Sequence, residues 1–323
     1  MSTLLKIKNL SVSAKSDQEI LNITSDVSFS LNRGELFAIV GESGSGKSIT
    51  ALSIMGLLPK NFYISSGSIE FEDKNLTDIS ADEKRNIIGS KISMIFQDPL
   101  TALNPLLTIG FQVSENLITH GKMKKKEALE ESAKLLEKVG ISNSKERLSS
   151  YPHQLSGGMR QRVMIASAIS MKPELLIADE PTTALDVTVQ ASIMRLIKKL
   201  CQENNSSLLL ISHNLSLVRN TCSSVAVMYS GSIQESGLCE NIFTNPMHPY
   251  TKMLLSCLPK MNSSEKLISI AGTPPAPSER PSGCSFNPRC PKATKICREQ
   301  IPDLKEIQKG HFVRCFNLET KNE

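Results

Sequence analysis

The run Gly41-Glu42-Ser43-Gly44-Ser45-Gly46-Lys47-Ser48 has the residue types and spacing to hold a triphosphate. Its glycines let the backbone wrap an anion with N–H groups, and a helix read from Ser48 to Leu57 turns its positive end to the same place. In such a loop Lys47 reaches the β- and γ-phosphates and Ser48 coordinates Mg2+. A second turn of related chemistry lies far downstream. Leu155-Ser156-Gly157-Gly158-Met159 puts a hydroxyl and unobstructed N–H groups at a helix start, which suits a γ-phosphate, although the tripeptide by itself is equally an ordinary helix cap.

Three more polar sites stand where apolar runs stop. Asp179 and Glu180 follow Leu175-Leu176-Ile177-Ala178; there a carboxylate approaches a metal through water, and the next one orients and deprotonates an attacking water. Gln97 follows Ile92-Ser93-Met94-Ile95-Phe96, and His213 follows Ser207 to Ser212. A lone histidine is more often structural than catalytic, but His213 stands one strand-helix-strand interval beyond the two acids.

These positions need a scaffold that brings strand ends together. Residues 35–40, 92–96, 174–179 and 207–212 read as short buried strands separated by helical stretches, which predicts a mostly parallel sheet with ligands beyond its carboxyl ends. Between them, 111–119, 124–139 and 158–170 read as helices with little strand signal, a helical insertion over about 99–170. The basic run Lys122, Lys124, Lys125, Lys126 reads as a solvated face paired with Glu127, Glu130 and Glu131. A strand over 232–237 closes the domain. Prolines then punctuate an extension expected to be largely non-helical, so the boundary falls near Phe243 and divides the chain into 1–243 and 244–323.

The motifs and their order resemble the nucleotide-binding subunits of ATP-binding-cassette (ABC) transporters. The resemblance implies an α/β phosphate-loop cassette with an antiparallel N-terminal part, ATP and Mg2+ as ligands, and Ser48, Gln97 and Asp179 around the metal. It makes Glu180 and His213 the catalytic pair and Ala184-Leu185-Asp186 the D-loop. Leu155 to Met159 becomes the signature turn, which acts on ATP bound by a partner cassette. There are two departures. The family commonly places an aromatic residue near the end of the first strand to stack on adenine, and Ser11-Val12-Ser13-Ala14-Lys15 has none; Asn214 stands where relatives often carry aspartate.

Three segments narrow the resemblance to the oligopeptide and dipeptide importers: Gln97 to Pro105, His248-Pro249-Tyr250-Thr251 with Leu254-Leu255, and Gly283 to Cys290. Eight cysteines are spread unevenly. Cys201, Cys222, Cys239 and Cys257 read as small buried hydrophobes. Cys284, Cys290, Cys297 and Cys315 are separated by five, six and seventeen residues, and four such thiolates can hold a 4Fe–4S cluster or tetrahedral zinc. The importer resemblance implies the cluster.

Composition sets the outer bounds. The 323 residues are 40% hydrophobic and 21% charged, an ordinary globular balance, and a net charge of +5 is too weak to imply nucleic acid. No stretch is apolar enough to span a membrane, which places the chain peripherally on the cytoplasmic face of a cell (inner) membrane if the resemblance holds. The expected partners are two permease subunits, a second and different ATP-binding chain, and indirectly an extracytoplasmic solute-binding protein. Nickel, opine and glutathione importers share the pattern. A soluble ABC ATPase outside transport is the other alternative, and neither the paired cassettes nor the long coiled-coil insertion usual there is present.

Overall fold

A computed structural model describes residues 2–16, 19–183, 186–258 and 270–318. Among them the strands are β1 (Thr3–Lys15), β2 (Ile20–Asn32), β3 (Leu36–Val40), β4 (Phe62–Phe71), β5 (Lys74–Asn75), β6 (Ile92–Ile95), β7 (Leu175–Asp179), β8 (Ser207–Ser212), β9 (Ser224–Tyr229), β10 (Ser232–Leu238), β11 (Lys305–Gln308) and β12 (His311–Val313). The chain divides into two compact units, one built mainly from Asp78–Leu210 and the other from Thr3–Leu31, Glu35–Thr77 and Ile211–Glu323.

The second unit carries the phosphate loop. Its first sheet has the order β2-β1-β4-β5, with β1 antiparallel to β4 and Ser13 opposite Tyr63. In its other sheet β3 lies parallel to β9, Val40 opposite Val227, and β9, β10, β12 and β11 follow as antiparallel neighbours. Ala38, Ile39, Val40, Val225 and Ala226 are fully buried, which explains why β3 and β9 read as continuous apolar runs rather than alternating ones.

Among the described residues the extension is largely non-helical, as expected, but it is not without regular structure. It contributes β11 and β12 to this sheet and holds the helices Pro249–Ser256 and Lys295–Glu299, while the helix Cys239–Thr244 stands at the boundary before it. Pro249 opens the helix Pro249–Ser256 instead of breaking it, because a first-turn residue needs no N–H partner; His248 caps that helix by accepting the Tyr250 N–H. Pro259 lies outside the described residues.

The first unit holds β6 parallel to β7, with Ile92 opposite Leu175, and the start of β8 beside β7, where the Ser207 N–H donates to Glu174 O at 2.8 Å. Between β6 and β7 runs the expected helical segment: Pro99–Ala102, Ile109–Thr119, Lys125–Lys138, Ser144–Arg147 and Gly157–Ile169. Its helices pack through Val113, Leu117, Ala128, Leu136, Val163 and Ile165, all buried. The lysines of the run at 122–126 are exposed as expected, but Glu131 pairs with Lys134 one helical turn away (2.9 Å) rather than with that run.

Candidate functional site

Each element of the phosphate loop is set by contacts a larger residue would break. Gly41 has φ 154°, and a Cβ there would lie 2.0 Å from the Met228 carbonyl oxygen. Gly46, at φ 101°, caps the helix Lys47–Met55 and lies against the Thr24 and Met228 side chains, where a Cβ would come within 2.7 and 2.8 Å. The Gly231 N–H donates to Ser45 O (2.9 Å), tying the loop to the β9–β10 turn. Lys47 is buried, and its Nζ donates to the carbonyls of Gly41 and Glu42, both at 2.9 Å. A buried ammonium held by carbonyls at a helix N-terminus is a ready counter-charge for phosphate.

In the other unit, Asp179 ends β7 and is buried, and Glu180 follows in a left-handed backbone conformation (φ 43°). A non-glycine residue there costs on the order of 1 kcal/mol, and strain of this kind concentrates at functional positions. Gln97 and Thr183 help to hold it. Gln97 Nε2 and Thr183 Oγ1 donate to Glu180 Oε2 at 3.1 and 2.9 Å, and the Thr183 N–H donates to Glu180 O at 3.3 Å. Thus Gln97 and Glu180, 83 positions apart, are direct partners.

Ser156 caps the helix Gly157–Ile169, its Oγ accepting the Met159 N–H at 3.4 Å while the hydroxyl proton remains to donate elsewhere. Leu155 is buried beneath the turn, and its carbonyl accepts from Arg160 Nε (3.0 Å). A Cβ on Gly157 would meet nothing within 4 Å, and one on Gly158 only Val189 at 3.8 Å. Neither glycine has a positive φ. The fold therefore has no local need for glycine at either position, which points to something that must approach the turn closely.

Of the residues expected to form a D-loop, Ala184 and Leu185 lie outside the described residues. Asp186 caps the helix Val187–Asn204; bonds from Thr188 Oγ1 (2.6 Å) and the Val189 N–H (2.9 Å) hold its carboxyl below the usual range. His213 is exposed just past β8. Asn214 caps the helix Leu215–Thr221 by accepting the Leu217 N–H (3.1 Å), a role in which asparagine equals aspartate.

Cys201, Cys222 and Cys239 are buried as expected, and burial pushes the Cys201 thiol up to about 12; Cys257 is half-buried. The other four cysteines, Cys284, Cys290, Cys297 and Cys315, line one cavity together with His248, Phe286, Pro302 and Phe316. Burial, and then the neighbouring thiols, push Cys284 up to about 11. No group of three or more His, Cys, Asp or Glu side chains among the described residues is placed to share a metal ion. Four thiols lining one cavity are the donor type common to iron–sulfur and zinc sites.

Sequence reasoning missed the loop's outer supports. Tyr250 Oη accepts the Glu42 N–H (3.1 Å), and Arg289 grips the Glu42 carboxylate through both terminal nitrogens, at 2.7 and 3.0 Å. No local pattern announces a partner 247 positions away.

Two families match this chain: ABC transporter over residues 24–183, and oligopeptide/dipeptide transporter, C-terminal region, over residues 234–297. The oligopeptide transport ATP-binding protein AppD of Bacillus subtilis is 49% identical over 321 residues, covering 99% of this chain and 98% of that protein. The dipeptide transport ATP-binding protein DppD of Escherichia coli is 45% identical over 313 residues, covering 97% and 96%. Among solved structures, the dimeric post-hydrolysis ATP-binding cassette MJ0796 bound to ADP and Pi is similar at a TM-score of 0.66 and 29% identity, over 73% of this chain and 99% of that one. No helix among the described residues is long and apolar enough to cross a membrane. With a phosphate loop shaped for a triphosphate and near full-length similarity of this degree, the chain belongs to the ABC ATPases, in their oligopeptide/dipeptide transporter branch.

Proposed function

We propose that this ATPase powers the uptake of peptides through a membrane permease, sitting peripherally on the cytoplasmic face of the (inner) membrane. The observation that supports the reading best is that the resemblance runs through the extension as well as the cassette, at 49% identity across 99% of the chain. Lys47 and the loop N–H groups engage the β- and γ-phosphates. Ser48, Gln97 and Asp179 are the residues to hold Mg2+, which supplies charge neutralisation on the phosphates when bound. Glu180, fixed by Gln97 and Thr183, takes the proton of the attacking water, and His213 orients the γ-phosphate.

The signature turn, Leu155 to Met159, together with Asp186 of the D-loop, serves nucleotide held by a second ATP-binding chain. We infer that this partner is a different protein, that two permease subunits carry the substrate, and that an extracytoplasmic binding protein delivers it. Cys284, Cys290, Cys297 and Cys315 bind a 4Fe–4S cluster with a structural role, because the surrounding segment is proline-rich and short of apolar residues.

Two experiments test this. Purification from native membrane should bring down permease subunits and a peptide-binding protein; recovery with a nickel-, opine- or glutathione-binding protein instead would reassign the cargo. Glu180→Gln should retain ATP while turnover falls by at least about 100-fold; undiminished hydrolysis would exclude Glu180 as the base.

A further inference from the structure

Glu42 is held at every polar group it possesses. Its N–H donates to Tyr250 Oη (3.1 Å), its carbonyl accepts from Lys47 Nζ (2.9 Å), and its carboxylate receives the fork of Arg289. The Arg289 side chain is only 5% exposed, and all five of its N–H donors are placed. Beyond the two Glu42 oxygens they reach Tyr229 Oη (3.2 Å), Ala271 O (3.0 Å) and Ile270 O (3.5 Å), and the guanidinium lies 5.6 Å from the Tyr229 ring centre. Phe286 is fully buried and packs its edge on Tyr229 and its tilted ring on Tyr250, so the segment that delivers Arg289 is wedged against both tyrosines.

This arrangement bears on the nucleotide. A carboxylate in a loop that must accept a triphosphate opposes its ligand unless a fixed cation cancels it, and Glu42 O is one of two carbonyls that hold Lys47. We propose that Arg289, delivered from the C-terminal extension, is a positioning residue of the ATP site: it neutralises the Glu42 carboxylate and fixes the carbonyl that holds Lys47. The inference rests on the reading of Gly41 to Ser48 as the ATP site. An ordinary ion pair that merely fastens the extension down would have no electrostatic sign in ATP binding, whereas the proposed role does.

The test is ATP affinity, read with a fluorescent ATP analogue on the full-length protein, and KM and kcat of the assembled complex. Arg289→Gln leaves Glu42 unmatched and should weaken ATP about tenfold, mainly in KM, with kcat at saturation nearly kept. Glu42→Gln frees the cation and should shift affinity the opposite way, tightening it about threefold. The double variant should return to within about threefold of the parent. Equal weakening by both single variants, or no effect of Arg289→Gln in a folded protein, would overturn the proposal. If Arg289→Gln fails to fold, the sign of the Glu42→Gln effect decides alone. Loss of binding by the unaltered protein would instead overturn the ATP-site reading itself.

Discussion

Replacing Gly157 and Gly158 with alanine should separate stability from function in a single variant. Both glycines lie in the first turn of the helix Gly157–Ile169 with ordinary negative φ, and added Cβ atoms meet nothing closer than Val189 at 3.8 Å. Alanine is worth about 0.5–1 kcal/mol over glycine inside a helix, so the pair should gain about 1 kcal/mol once first-turn fraying is allowed for. In a chain of this size that raises the melting midpoint by about 2 °C. The signature reading demands the reverse for activity: two methyl groups would stand where the partner's γ-phosphate meets the backbone N–H groups, and turnover of the assembled complex should fall by at least about 100-fold. The measurements are thermal or urea unfolding of the isolated chain and ATP hydrolysis by the reconstituted complex. A variant that loses stability would show that the glycines serve the fold, and one that hydrolyses ATP normally would remove this turn from the chemistry.

Three other outcomes follow from the geometry. Gly41→Ala must clear a 2.0 Å approach to the Met228 carbonyl on β9, so the loop should shift by about 1 Å and kcat/KM should fall about 100-fold with the fold retained by circular dichroism. Glu235 is fully buried; burial alone would raise its pKa, but His311 Nε2 (2.8 Å) and the N–H groups of Met247 (2.7 Å) and His248 (2.9 Å) hold it below the usual glutamate value. Its stabilising contribution is therefore complete above about pH 4.5 and lost as pH falls through that depressed value, and hydrogen exchange over 235–248 should show acid-induced opening that Glu235→Gln uncouples from pH. Anaerobically purified protein should absorb near about 400 nm in a band that disappears in Cys290→Ser, and stoichiometric zinc in its place would defeat the cluster assignment.

What the sequence revealed was whatever a short window encodes. The ends of β3, β6, β7 and β8 were legible because buried strands are brief apolar runs stopped by polar residues, and the phosphate loop because its chemistry is contiguous. The helices of 109–169 followed from their periodicity. What escaped was long-range pairing. Nothing near Lys305 or His311 marks β11 and β12 as strands that join the β9–β10 sheet, since their partners fix the pairing. Glu42 was legible as one residue of the phosphate loop and Arg289 as one residue of the Gly283 to Cys290 segment, with nothing in either stretch to pair them. Only their juxtaposition gives either a purpose. The Asn214 departure, by contrast, dissolved on seeing that a cap was required.

The pairing of Glu42 with Arg289 also imposes an order on biosynthesis. The loop emerges from the ribosome 247 residues ahead of the cation that neutralises it, and Arg314, which binds Asp26 Oδ2 at 2.7 Å, comes 288 residues after its partner. At about 5–20 residues per second, the nascent loop spends roughly 12–50 s with its acid unmatched. A growing chain therefore carries a recognisable nucleotide motif well before it carries a finished one, and full affinity arrives only after the segment bearing Arg289 has been made.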